Sequence, residues 1–227
     1  MHISWHELLF VHWPLPPEVL ASVVPASLPV DTFDGHAWLG IVPFRMTNVG
    51  PRSVPTLPWL SAFPELNVRT YVTVGGKPGV FFFSLDAARA LAVIGARIAF
   101  HLPYFHARMS LRRADGWIDY ATQRVRRDRK AATFVGRYRP TGATFESGEG
   151  SLESFLTNRY CLYAVDLRGR VFRSEIDHAP WALQPAELSI EANTMTRWLG
   201  LYLPTSPPLL HYSERQDVVV WLPERVV

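Results

Sequence analysis

Turn signals cut this chain into short runs that alternate apolar with polar residues, and that punctuation limits the fold more than any other feature. The signals are Asp34-Gly35, Gly75-Gly76-Lys77-Pro78-Gly79, Asp115-Gly116, Asp128-Arg129 and Arg168-Gly169-Arg170. Alternation with period two places successive side chains on opposite faces of a strand, and Asp-Gly steps supply the positive φ of a tight hairpin. Strand-like runs fall at residues 8–13, 30–33, 36–49, 66–74, 80–83, 104–114, 117–127, 131–139, 160–167, 171–177, 209–212 and 218–222. Prolines number 19 in 227 residues, above the usual ~5%, which favours strand ends and turns over long helices. Helices are expected in four places only. One opens at Pro16-Pro17-Glu18, one runs from an Asp86 N-cap to Phe100, one follows Ser151, and one covers residues 193–199. The pattern is that of a mainly β (α+β) protein, an antiparallel barrel or sandwich with a few peripheral helices. No repeat or linker divides it, so residues 1–227 read as a single domain.

Composition removes several classes of function. Apolar residues make up 48% and charged residues 19% of the chain, an ordinary globular balance that excludes general disorder. Cys161 is the single cysteine, so an internal disulfide framework and a cysteine-based zinc site are both excluded. The start of the chain, Met1 to Glu7, has no signal-peptide character. The apolar stretch at residues 87–100 carries Arg89 and Arg97 and is shorter than the ~20 residues of a membrane span. A cytoplasmic protein without membrane attachment is expected. The net charge of +3 mildly favours anionic partners. The basic run from Arg124 to Lys130 reads as a solvated hairpin end, not a nucleic-acid surface.

The basic residues are 21 arginines and two lysines, Lys77 and Lys130. Schiff-base chemistry needs a desolvated lysine, and both of these lie in turn signals. Histidines stand at 2, 6, 12, 36, 101, 106, 178 and 211, with no His-Glu-x-x-His spacing, so no metal site and no cofactor is expected. No Gly-x-Ser-x-Gly elbow or phosphate-binding glycine loop occurs. Two strands carry polar faces of interest. In the first, Asn67, Arg69 and Tyr71 oppose Leu66, Val68, Val72 and Val74. In the second, Tyr104, His106, Arg108 and Ser110 oppose Phe105, Ala107, Met109 and Leu111. Alternation leaves open whether such a face meets water or lines a cavity. Turned inward, these faces would gather arginine, imidazole and phenol groups suited to a carboxylate or enolate.

Four segments together carry a family resemblance: His12-Trp13-Pro14, residues 64–72 (Pro-Glu-Leu-Asn-Val-Arg-Thr-Tyr-Val), residues 102–109 (Leu-Pro-Tyr-Phe-His-Ala-Arg-Met) and His178-Ala179-Pro180-Trp181. The chain resembles the YqjF-like group of uncharacterised bacterial proteins, related in fold to acetoacetate decarboxylase. The resemblance implies a cone-shaped antiparallel β-barrel with a central cavity. In the decarboxylases a glutamate precedes a strand, and a later proline is followed by two lysines. Here the glutamate position resembles Glu65, while Tyr104 and Phe105 stand where the lysines would be, which removes the Schiff-base mechanism. The resulting expectation is a barrel that binds a small, anionic organic acid. Glu65, Tyr104 and His106 are the candidate proton-transfer groups, and Asn67, Arg69, Tyr71 and Arg108 the candidate ligand contacts. Glu65, four residues before Arg69, is expected to pair with it in the empty protein. A non-catalytic sensor or carrier, or an interaction protein with an aromatic-filled barrel, remains as the alternative. Whether a reaction is catalysed, and whether the chain forms a homo-oligomer, stay open.

Overall fold

The computed structural model describes residues 1–50, 62–89, 100–125, 128 and 130–226. The strands in chain order are β1 (His2–Leu15), β2 (Ala37–Gly50), β3 (Phe63–Val74), β4 (Lys77–Ala87), β5 (Tyr104–Ala114), β6 (Trp117–Arg124), β7 (Thr133–Pro140), β8 (Phe145–Glu146), β9 (Cys161–Val165), β10 (Val171–Asp177), β11 (Ala182–Asn193), β12 (Leu209–Val220) and β13 (Glu224–Arg225). Among the described residues, two short helices interrupt them. Helix α1 (Pro17–Ala21) starts with a proline whose fixed φ suits the first turn. Helix α2 (Leu152–Thr157) is capped by Ser151, whose hydroxyl accepts from the Ser154 N–H at 3.1 Å.

All of these strands belong to one mixed sheet. Most pairs are antiparallel, but β4 pairs with both β5 and β9 in parallel. The expectation of a purely antiparallel sheet is therefore corrected. At residues 85–87 the chain of β4 leaves the sheet and β5 enters beside it in the same direction, because the connection between them is long enough to cross over.

The pairings close on themselves twice. One circuit runs β12-β1-β2-β3-β4-β5-β6-β7-β11 and returns to β12. The other runs β12-β1-β2-β3-β4-β9-β10 and returns to β12. Strands β12, β1, β2, β3 and β4 are common to both. Their two faces serve different interiors. Leu39, Ile41, Leu66 and Val68 enter a buried cluster that continues through Tyr120, Phe134 and Tyr138 on the nine-strand side. Val42, Phe44, Phe63 and Leu85 enter a second cluster with Leu162, Ile176 and Trp181 on the seven-strand side.

Two bulges keep this division. The β1–β2 register shifts between His6 and Val11, and Glu7 in that stretch has φ 55°. Before the bulge, Ile3 belongs to the second cluster. After it, Leu8 and Phe10 do, while Leu9, Val11 and Trp13 belong to the first. The extra residue thus exchanges the parity of the strand. Glu7 is 2% exposed and is held by Arg45 at 3.4 Å and by Arg113. In β4 the shift falls opposite Val68 and Arg69, leaving Phe83 unpaired. Phe83 joins the first cluster, whereas Leu85 and Ala87 join the second.

Other expectations need revision. Asp86 caps no helix; it lies inside β4 with 0% exposure. The helix expected after it, with Leu91, Ile94 and Ile98, falls almost wholly on residues outside those described. Residues 193–199 form the end of β11 and a 3-10 turn at Arg197–Leu199 instead of a helix. The two closing runs at 209–212 and 218–222 are one continuous strand, β12. Strand β11, with Pro185 inside it, is an element the sequence pattern missed. Among the described residues, no helix is long and apolar enough to cross a membrane.

Candidate functional site

The seven-strand circuit borders a half-open cavity of about 330 Å³. Its wall takes Ile3, Trp5 and Leu8 from β1, Val42 and Phe44 from β2, Phe82 and Leu85 from β4, Leu162 from β9 and Ile176 from β10, with Trp181 beside them. Among the described residues, polar side chains enter from two places: Glu65, Asn67 and Arg69 from β3, and Tyr104 from the first position of β5. The three β3 residues share one face because they are two residues apart in extended chain. Tyr104 joins them through the crossover, which pairs it with Leu85.

Each of the β3 residues carries a buried polar atom with no hydrogen-bond partner in the protein: Oε2 of Glu65, Oδ1 of Asn67 and Nε of Arg69. Buried polar atoms are rarely left unpartnered, so three on neighbouring residues of one strand stand out. Glu65 is 2% exposed. Burial is the main reason its carboxyl is pushed up to about 8, with Asp86 adding to the rise and a hydrogen bond with Tyr104 opposing it. At neutral pH this carboxyl holds its proton. Burial first, then the Glu65 carboxylate, raises the Tyr104 phenol well above its ordinary range. The two groups form a hydrogen-bonded pair at the cavity surface.

Arg69 is placed by its own contacts. Its Nη2 donates to the Leu156 carbonyl of α2 at 3.2 Å. Its guanidinium carbon lies 5.2 Å from the Phe10 ring centre and 5.6 Å from that of Tyr71, cation–π distances. Gly40 lies beneath it: a Cβ there would meet Nε2 of His12 at 3.0 Å and Cγ of Arg69 at 3.2 Å. The backbone of β2 therefore approaches both side chains more closely than a larger residue allows.

Behind Arg69 is a buried polar chain. Tyr71 donates to the Leu156 carbonyl at 2.7 Å and lies 2.6 Å from Nε2 of His12. The tyrosine's one proton is used on Leu156, so the histidine must donate from Nε2, which leaves its buried Nδ1 without a partner. That tautomer requires neutral imidazole, and burial followed by the Arg69 charge holds His12 well below its usual pKa.

The expected site residues are thus only partly assembled. Glu65, Asn67, Arg69 and Tyr104 line one cavity. Tyr71 does not; it is 0% exposed and locked against His12 and α2. His106 and Arg108 are exposed. They follow Tyr104 on the same face of β5, but β5 belongs to the nine-strand circuit alone, and that face looks away from the packed interior. The expected Glu65–Arg69 ion pair is absent: Glu65 bonds Tyr104, and Arg69 bonds Leu156. Strand alternation placed both on the same wall without bringing their charges together.

The chain's two lysines both lie away from the cavity lining. Lys77 is bonded to Glu175 at 2.6 Å, and Lys130 lies over the rings of Phe105 and Trp198. Arg124, expected on a solvated hairpin end, is 3% exposed. It donates from Nε to both carboxylate oxygens of Asp86 at 2.9 Å. Burial raises Asp86 to about 6 against the opposing pull of that arginine. Nothing local in the sequence signals this pair, which spans 38 positions. The apolar wall residues Trp5, Leu162 and Trp181 were missed as well, since apolar alternation identifies a buried face without distinguishing a cavity from a packed core. Among the described residues, no group of three or more His, Cys, Asp or Glu could hold a metal ion.

Comparison with known proteins agrees with this architecture. MppR, an enduracididine biosynthesis enzyme solved in complex with pyruvate, superposes with a TM-score of 0.71 at 13% identity, covering 99% of this chain and 89% of that one. Acetoacetate decarboxylase from Legionella pneumophila superposes with a TM-score of 0.67 at 13% identity, covering 100% of this chain and 87% of the other. At such identities the likeness is one of fold: a mainly β chain with acetoacetate decarboxylase-like neighbours. In sequence, the chain is 47% identical over 221 residues to the uncharacterized protein YqjF of Bacillus subtilis strain 168, across 97% of this chain and 90% of YqjF. The model of the DUF2071 family, an uncharacterized conserved protein, matches residues 2–217. With a family match over nearly its whole length and a relative so similar, the chain belongs to the DUF2071 family of YqjF-like proteins.

Proposed function

We propose that the seven-strand circuit works as a ligand-holding barrel and binds a small organic acid. The ligand carboxylate lies against Arg69 and Asn67, and the Glu65–Tyr104 pair is within reach for proton exchange. The observation that carries this reading is the grouping of Glu65, Asn67, Arg69 and Tyr104 on one wall of an otherwise apolar cavity. With Glu65 protonated, Arg69 is the one formal charge among the four polar lining residues, so an anion is favoured over a cation. A protonated carboxyl beside a phenol can donate a proton to developing oxyanion charge and take it back. The pyruvate complex of the fold neighbour MppR is an organic acid held by the same type of fold, which is consistent with this reading. The open cavity counts against a lumen filled by its own aromatic side chains.

The test is a thermal-shift screen of organic acids, followed by calorimetric titration and a turnover assay on the hits. Arg69→Ala should weaken the best acid by well over tenfold, and Arg69→Lys should restore only part of it, because an ammonium cannot reproduce the guanidinium fork. Unchanged affinity in folded Arg69→Ala would remove the acid reading. Turnover by the wild type that Glu65→Gln abolishes would assign catalysis; binding without turnover would assign a carrier or sensor.

A further inference from the structure

Resting on the acid-binding reading, we infer that the ligand is a medium-length apolar monocarboxylate, a saturated or aryl-substituted chain of about ten non-hydrogen atoms, and not a two- to four-carbon keto acid. The count follows from the size of the cavity, about 330 Å³, at roughly 30 Å³ for each water-sized group. On the same count a pyruvate-sized molecule fills roughly half of it.

The distribution of polarity leads to the same class. Among the described residues, the charged and amide side chains of the lining lie on β3 and its phenol at the start of β5. Among the described residues, the remaining wall, including Trp5, Phe44, Phe63, Leu162, Ile176 and Trp181, offers no charged side chain, and the Trp181 indole N–H is already spent on the Thr157 carbonyl. A second carboxylate, a hydroxyl or an amine on the ligand's far end would be buried there without a partner. One anionic head and an apolar tail satisfy both parts of the wall. The tail also suits the aromatic rings, whose faces accept methylene or aryl groups equally.

The experiment is a titration series with straight-chain carboxylates from acetate to dodecanoate, alongside pyruvate, 1-octanol and octylamine, using the wild-type protein. Affinity should rise about fourfold per methylene up to eight to ten carbons and then stop rising. Octanol should bind more than tenfold more weakly than octanoate, and octylamine more weakly still. Leu162→Trp, or Ile176→Phe if the first variant does not fold, should cost octanoate over tenfold and leave acetate unchanged. A series that is flat or falls with length, with pyruvate or acetate the tightest and still dependent on Arg69, would overturn the chain-length inference while leaving the acid site standing. Failure of every acid to bind would overturn both.

Discussion

Glu65 is the residue where folding and chemistry pull in opposite directions. Its carboxyl is pushed from an ordinary 4.5 to about 8. Below pH 4.5 the folded and unfolded chains both hold the proton. Between 4.5 and 8 the unfolded chain releases it and the folded one keeps it, so stability falls as pH rises through that window, by roughly a few kcal/mol in all. Above 8 the folded protein must bury a charge. Glutamine does not titrate and can still accept from Tyr104. Glu65→Gln should therefore raise the melting temperature, by a margin that widens from pH 4.5 to 8 and then levels off. Parallel melting curves for the two proteins across that range would refute the assignment. Glu65 was legible in the sequence because of the family resemblance, and Asn67 and Arg69 because one strand's alternation fixes which side chains share a face. His106 and Arg108 were misread for the same reason. Alternation identifies a face but not what lies against it, and the polar face of β5 turns to solvent after Tyr104. Asp86 was misread as a helix cap because its partner, Arg124, is distant in sequence.

At the scale of elements, β4 and β9 show how close the backbone must come to close the smaller circuit. A Cβ on Gly79 would lie 2.7 Å from Sγ of Cys161 and 2.9 Å from the Cys161 carbonyl oxygen. The second of these is backbone and cannot swing aside. The parallel pairing of Val80 with Leu162 begins one residue later. Gly79→Ala should cost about 1–3 kcal/mol of stability, seen as a lower urea midpoint, and it should weaken ligand binding because β9 and its Leu162 are pushed from the cavity wall. A substitution that left both midpoint and affinity unchanged would show that β9 shifts without cost. The hairpins at Asp115-Gly116 and Gly75-Gly76 were legible because their turn residues permit positive φ. The bulges at Glu7 and Phe83 were not. Each adds one residue to a strand whose pattern still alternates on either side, and a glutamate at φ 55° is held in place by Arg45 and Arg113, which are far away in sequence.

For the molecule as a whole, the proposed separation from acetoacetate decarboxylase chemistry rests on lysine placement. Borohydride reduction in the presence of acetoacetate or pyruvate should leave the intact mass unchanged, since Lys77 is engaged by Glu175 and Lys130 by two aromatic rings outside the cavity. A stoichiometric adduct on either lysine would contradict this. The general class, mainly β with few helices, was readable from turn spacing. The double closure was not, because it depends on β12 pairing with β10, β11 and β1 at different points along its length. That closure makes five strands a party wall between a packed core and a cavity, with neighbouring residues on each strand answering to different interiors. Changing every second residue of the wall would therefore reshape the cavity, while the intervening residues go on holding the fold.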